Sequence, residues 1–498
     1  MTFKPRSIAA ATTAVLIMGF GANAMADSTF DLVQALVSKG ILTEEEALPL
    51  LKGRENDIQL ADKKVAAEVN KHESKGIKIS EYLDEVKLTG DIRTRYEYRN
   101  ASGLTNGANV GSGTTGGAQE QLDRGRYAYH IGLETSSDKN FFAEFRLASN
   151  AAARSPNVTF SSNSPNGYND KSGGTVYVDR AYIGWNITDW SSVVAGRMKN
   201  DLYKSVLKFD SDITPEGLKE KFKYKVNDQL ELFGSLNQWA VAGTLDEIQS
   251  GGGPVTNTQT SQWEYLEQVG AHYNIDETKS LKAAVSYESY TGASHGSSAL
   301  YTNFNPNAAS AYGGVGTLGV NNLKVIDIPV EFNIMNGNTG FRLWADYAYN
   351  FNADKRAIDS GIKNAANFQN ENTAYLLGLQ VGSAKDLKSF EKQSTYWGDT
   401  AGMSKGDWSG RLWWQHIEAF ALNQNQIDSD IMNAMVNMEG WAASGVYMIG
   451  SNVFATATYA HGSTINKGLG NGQSLDTTKS NIAPNNYDLL QLDLTYKF

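Results

Sequence analysis

The chain has 498 residues, with 44 Lys and Arg against 54 Asp and Glu, and a net charge of −10 at pH 7. That balance excludes nucleic acid as the main partner, and the absence of cysteine excludes disulfides and thiolate-bound metals. The 24 Tyr, 19 Phe, 10 Trp and 48 Gly beside only 9 Pro suit a transmembrane β-barrel, whose strands hide apolar residues in alternation.

Residues 1–26 carry Lys4 and Arg6, an apolar run from Ile8 to Phe20, and Ala24-Met25-Ala26 before Asp27. A basic start, a short apolar stretch and an A-x-A site predict a signal peptide cleaved after Ala26. Residues 27–82 have a helical period. Phe30, Val33, Leu36 and Val37 form one stripe, closed by Gly40, and Thr43 to Glu46 make a capping box. Leu51, Ile58 and Val65 then recur every seven residues, which predicts a short periplasmic coiled coil that would hold an oligomer together or touch peptidoglycan.

From Val86 the period becomes two. Val86, Leu88, Gly90, Ile92, Thr94, Tyr96 and Tyr98 share one face, and Lys87, Thr89, Asp91, Arg93, Arg95, Glu97 and Arg99 the other. Seven polar side chains in a row require a wet second side, and at about 3.3 Å per residue the stretch is long enough to cross a bilayer while tilted. Similar segments follow at 124–135, 140–149, 176–187, 190–199, 218–226, 228–240, 262–275 and 280–290. The remainder lie at 323–334, 340–351, 373–383, 407–420, 440–450, 453–461 and 487–498. Short links such as Thr188-Asp189 alternate with long ones such as 99–123 and 291–322. An even strand count with alternating link lengths predicts an all-β, antiparallel, up-and-down outer-membrane barrel over 83–498. It would have about 16 strands. The long link 384–406, on the side of the short turns, leaves 18 strands as the alternative. The last strand, Leu490 to Phe498, puts Leu490, Leu492, Leu494, Tyr496 and Phe498 on one face, and it would close the barrel against the first strand.

The same alternation assigns a lumen. Arg93, Arg95, Arg126, Arg146, Arg180, Arg197 and Lys199 are predicted to line a basic wall, and Asp327, Glu331 and Asp346 an acidic one. A lipid-facing Arg costs a few kcal/mol, so the wet side is the economical place for these groups. Basic side chains in a pore favour anions. The competing reading is that the Arg pair with Asp91, Glu97, Glu134 and Glu144 and merely stiffen the wall. The link 200–217 reads as a third external loop, with Thr214-Pro215 as a helix start. Asp210-Ser211-Asp212 and Asp428-Ser429-Asp430 offer carboxylates of the kind Ca²⁺ takes, but a turn-forming role explains them as well.

Several phrases carry a family likeness: LVSKGILTEEEA (Leu36 to Ala47), VDRAYIGW (Val178 to Trp185), AGRMKND (Ala195 to Asp201), DSDITPEGL (Asp210 to Leu218), GDW (Gly406 to Trp408) and the final strand. With them the chain resembles the "Putative porin" family of Gram-negative outer membranes, which looks distantly like the phosphate-selective porins. The resemblance implies a channel of about sixteen strands, a homotrimer, and an N-terminal periplasmic helix. The expected function is passive diffusion of ions and small hydrophilic solutes, weakly anion-preferring, in contact with outer-membrane lipid and lipopolysaccharide. The alternative is an adhesin or receptor that uses the barrel as an anchor for its long external loops. None of the six His lies in a G-x-S-x-G or H-E-x-x-H context, so neither catalysis nor a cofactor or metal is expected.

Overall fold

The computed structural model describes residues 83–102, 120–138, 140–149, 155–160, 175–242, 262–291, 322–359, 365–396, 398–466, 469 and 486–498, with Lys39 and Thr43 before them. The predicted signal peptide and the coiled coil of 27–82 otherwise lie outside the described residues.

Period-2 segments become strands wherever the sequence shows them. They are β1 (Glu85–Ser102), β2 (Glu120–Ser137), β3 (Phe141–Ser149), β4 (Val176–Thr188), β5 (Ser191–Arg197), β6 (Glu216–Lys225), β7 (Leu230–Ala242) and β8 (Gln262–Asp276). After them come β9 (Lys279–Thr291), β10 (Lys324–Asp327 with Val330–Asn336), β11 (Thr339–Asn350), β12 (Thr373–Ser383), β13 (Trp408–Ile417), β14 (Met438–Met448), β15 (Val453–Thr464) and β16 (Asn486–Lys497). β10 is one strand in two pieces, because both halves pair with β9 and β11. Pro329 has no N–H to give to the ladder, and the break falls there. The neighbours still bridge the gap, with Ala284 N–H donating to Pro329 O at 3.0 Å and Ile328 N–H to Tyr347 O at 2.9 Å. A two-residue segment, Val158–Thr159, pairs with β2 at Arg126 and Tyr127 and continues the place of β3. The result is a closed antiparallel barrel of 16 strands, and the alternative of 18 is not needed.

Closure is made by β1 and β16, from Asp91 opposite Lys497 to Ser102 opposite Asn486. Phe498 continues the ladder, exchanging 2.9 Å backbone hydrogen bonds with Gly90 in both directions. Its ring also lies over Gly90, where an added Cβ would stand 2.6 Å from the ring and 2.4 Å from His130 O. A glycine is therefore required by close approach at that position. The outward row Leu492, Leu494, Tyr496 and Phe498 is exposed, as are Leu88, Ile92 and Tyr96 across the seam. A band of this kind suits a lipid face.

The long segment 384–407 is an elaborated turn, not a hidden strand pair. It holds a short helix, α2 (Leu387–Lys392), capped by Asp386, whose side chain accepts from Ser389 N–H. The helix that precedes it in the chain, α1 (Ala353–Asp359), lies between β11 and β12. Thr214-Pro215 starts no helix. Glu216 begins β6, and the Thr214 hydroxyl accepts from Arg197 Nε at 3.1 Å.

Candidate channel lining

Three inserts turn into the lumen. The first is 198–215, between β5 and β6. The second is the elaborated turn 384–407, and the third is 418–437, between β13 and β14. They hold one another. Asp210 N–H donates to Gln426 O at 2.6 Å, and Ser429 N–H to Asp210 Oδ2 at 2.9 Å. The two Asp-Ser-Asp motifs thus meet across the lumen. Each forms its own turn, with Asp212 N–H on Asp210 Oδ1 and Asp430 N–H on Asp428 Oδ1, both at 2.8 Å. Among the described residues no three acidic or His side chains are grouped to hold a metal ion. The Tyr396 hydroxyl of the second insert reaches Ser205 O and Phe209 O of the first, at 2.6 Å each.

The wall formed by β1–β4 with β16 meets the third insert through charge. Arg95 is fully enclosed. It binds Asp493 with Nε and Nη2 at 2.7 and 2.8 Å, and Asp430 with Nη1 at 2.8 Å. Glu97, also enclosed, receives Arg124 at 2.5 and 2.8 Å, Arg99 at 3.1 Å, Arg126 at 3.4 Å and Gln491 at 2.9 Å. Arg146 pairs with Asp179, and Arg180 with Glu144 at 2.8 Å. Arg93 donates to Asn157 at 2.7 Å and keeps one side on open space. Most of the predicted basic wall is therefore bound to carboxylates. Burial would push the Asp430 carboxyl up, but Arg95, Arg99 and Arg93 outweigh it and hold it far below the carboxylate range. Asp428, buried beside Asp210 and Asp430, is pushed well above it.

Arg197 departs from its predicted place. β5 has the opposite parity to the one expected: Ala195 pairs with the exposed Ile183 and faces out while Val194 is buried, so Arg197, opposite Ala181, falls on the outward row. There it pairs with Glu216 at 2.9 Å, while Met198, expected to face lipid, is fully buried.

The opposite wall, β10–β15, receives the inserts through apolar contact and carboxyls. Val206 and Leu207 of the first insert join Ile427, Ile431, Met432, Met435 and Val436 of the third. They pack on Trp344, Leu376 and Trp413 of the wall, all at most 3 % exposed. At the edge of this cluster Ser205 donates to Asp346 at 2.6 Å, and Lys208 pairs with Glu288 of the neighbouring β9 at 2.8 Å with both side chains 1 % exposed. Asp327 lies beside Asp346, and Glu331 lies 3.6 Å from Arg342. Arg342 also donates to Gln380 and to carbonyls of the second insert.

Toward the end with the short turns the lumen opens into a cavity of about 730 Å³. Its lining holds ten Lys and Arg against seven Asp and Glu, so the surplus is positive. Arg93, Arg180 and Lys199 are there from the predicted set. Lys221 and Lys223 are there too, below the buried Lys219, on the inner face of β6. The sequence reading stopped at β5 and missed this row, although KEKFKYK shows a Lys at every second place from Lys219 to Lys225. Burial would raise Asp201, but Lys219 and Lys221 outweigh it and hold its carboxyl at about 2. Lys204 of the first insert is brought down to about 7 by burial, which Asp210 and Asp201 only partly offset.

The sequence profile of the "Putative porin" family matches residues 74–314 and 302–498, nearly all of the barrel and its approach. The chain belongs to this family. It is an outer-membrane porin, a channel-forming barrel set in lipid. No curated protein matches it in sequence. Among solved structures it is similar to OpdQ of Pseudomonas aeruginosa, with 10% identity, 84% of this chain and 99% of that one covered, and a TM-score of 0.37. A triple mutant of the Rhodopseudomonas blastica porin gives 8%, 83%, 100% and 0.36 for the same four quantities. A loop-L8 deletion mutant of OmpT, an outer membrane protein of Vibrio cholerae, gives 10%, 83%, 99% and 0.36.

Proposed function

We propose that the protein is a passive, weakly anion-preferring channel for ions and small hydrophilic solutes, working as a homotrimer after export and removal of residues 1–26. The observation that carries the preference is the positive surplus on the 730 Å³ cavity. The arginines behind it are buried in their carboxylate pairs, so the preference rests on Arg93, Lys199, Lys221 and Lys223 more than on Arg95, Arg126 or Arg146; Lys221 and Lys223 also pair, with Asp201 and Glu231, but stay exposed to the cavity, where such pairs are weak. Charged rings act on ions at close range in a narrow, partly dehydrated passage, and the three inserts supply the narrowing. The acidic groups Asp327, Glu331 and Asp346 are assigned to holding the first insert and Arg342. The region 27–82 is assigned to the trimer or to a periplasmic contact, and deletion of 28–82 followed by sizing of the detergent-extracted protein tests that: an unchanged oligomer removes the trimer role. The test of the channel is planar-bilayer current under a KCl gradient. Replacing Lys221 and Lys223 with Ser lowers the chloride preference, and an unchanged reversal potential would remove these residues from selectivity.

A second reading, a barrel that anchors external loops, is favoured by one feature. The apolar cluster of Val206, Leu207, Ile427, Ile431 and Met435 inside the lumen is dry packing of the kind a plug shows. Folded protein that gives no current steps in a bilayer would support it.

A further inference from the structure

Two ammonium groups on the cavity are held in an uncommon way. Lys282 Nζ lies 4.3 Å from the ring centroid of Tyr203 and 5.3 Å from that of Phe233. Lys204 Nζ lies 5.7 Å from the centroid of Tyr396 and 5.3 Å from that of Phe209. Neither has a carboxylate within 4.0 Å among the described residues. The acids nearby are already engaged. Glu331 faces Arg342, Glu391 accepts from His272 at 2.8 Å and from Ser280, and Asp201 is taken by Lys219 and Lys221. The rings fix the two side chains by cation–π attraction, while the carboxylates that act on them, Asp210 and Asp201 on Lys204 and Glu331 and Glu391 on Lys282, do so only from beyond 4.0 Å.

The rings are themselves part of the surface. Tyr203, Phe233 and Tyr396 all line the same cavity as Lys204 and Lys282, although a wet lumen wall is where aromatic side chains are least expected. Tyr203 is fixed by Gln268, which accepts from its N–H at 2.9 Å and donates to its carbonyl at 2.8 Å. Phe233 stands edge-on to it at 5.8 Å. A small inorganic anion would meet the charge and leave the rings in water. An anion with a flat apolar body would cover both, and a volume of about 730 Å³ is within the range of small-molecule sites.

We infer that Lys204 and Lys282, with Tyr203, Phe233 and Tyr396, form a binding site for a small aromatic carboxylate. The carboxylate faces the two ammonium groups and the ligand ring packs offset against the aromatic side chains. The site deepens the anion-channel reading, on which it rests for the ligand's way in and out.

The test is equilibrium dialysis of radiolabelled benzoate against the full-length protein in detergent at pH 6, where Lys204 is charged, with acetate as competitor. Saturable benzoate binding is expected, with acetate at least about tenfold weaker because it covers no ring. Lys282→Met and Tyr203→Leu should each weaken benzoate about tenfold. Phe233→Leu, a milder change, serves should either variant fail to fold. Absence of saturable benzoate binding, acetate competing as well as benzoate, or variants that bind like the parent would overturn the site. The KCl reversal potential of the parent channel separates the two readings. Chloride preference without benzoate binding ends the aromatic site alone. Benzoate binding without chloride preference keeps the site and ends the ion-preference reading.

Discussion

The two walls of the lumen hold the same inserts by different physics. The β1–β4 side binds the third insert with buried ion pairs centred on Arg95 and Glu97, whereas the β10–β15 side binds the first and third inserts with an apolar cluster around Trp344 and Trp413. Buried ion pairs give orientation and little net stability, because desolvation offsets the attraction. Apolar packing gives stability and less directional control. Together they place Asp430 against one wall and Leu207 against the other, and what stays open is the Lys-lined cavity below.

If that division is right, the largest loss should follow removal of one partner from the charged wall. Arg95→Ala leaves Asp430 and Asp493 buried without their common cation, at an expected cost of roughly 3–5 kcal/mol, read from denaturant unfolding in detergent. Replacing Arg95, Asp430 and Asp493 together by apolar residues should recover much of it. On the other wall Leu207→Ala opens a void in the cluster and should cost about 2–5 kcal/mol, with a rise in single-channel conductance as the inserts loosen. Equal salt sensitivity of the two variants would argue against the contrast, since only the first acts through charge.

Lys221→Ser with Lys223→Ser should change stability by no more than about 0.5 kcal/mol and lower the chloride preference. The smallest expected effect is that of pH. Lys204 carries its charge below about 7 and loses it above, so chloride preference should fall between pH 6 and pH 8. Asp212, pushed up to about 8 by burial and by Asp210, gains negative charge as pH rises and acts in the same direction. Lys204→Arg keeps its cation and should reduce the fall to the part that Asp212 contributes, and a parent profile that is flat with pH would remove Lys204 from the ion path.

Much of the barrel is legible in the sequence because lipid enforces alternation. Leu492, Leu494, Tyr496 and Phe498 can face only one way once Arg95 and Asp493 face the other. Even the interruption of β10 has a visible cause in Pro329. The inserts were less legible, because the wet second face was assumed to run the length of every strand. The contrary signal is present: Leu376-Leu377 and Trp413-Trp414 are adjacent apolar pairs, and in a strand such a pair puts an apolar group on each face. Leu376 and Trp413 are buried in the lumen, whereas Leu377 and Trp414 are exposed outside. Arg197 shows a different limit: Val193-Val194-Ala195-Gly196 carries no polar residue, so alternation alone does not say which parity of β5 faces lipid, and Arg197 lies on the outward row with Ala195. The partners of Arg95 were out of reach for a third reason. Asp430 is 335 positions away along the chain, in a link whose course no local pattern reveals.

The most direct test is the reversal potential of the purified, full-length protein in a planar bilayer under a KCl gradient. Stable current steps with a reversal potential of the sign for chloride are predicted. A cation-signed potential, or folded protein that never conducts, would contradict an anion-preferring channel.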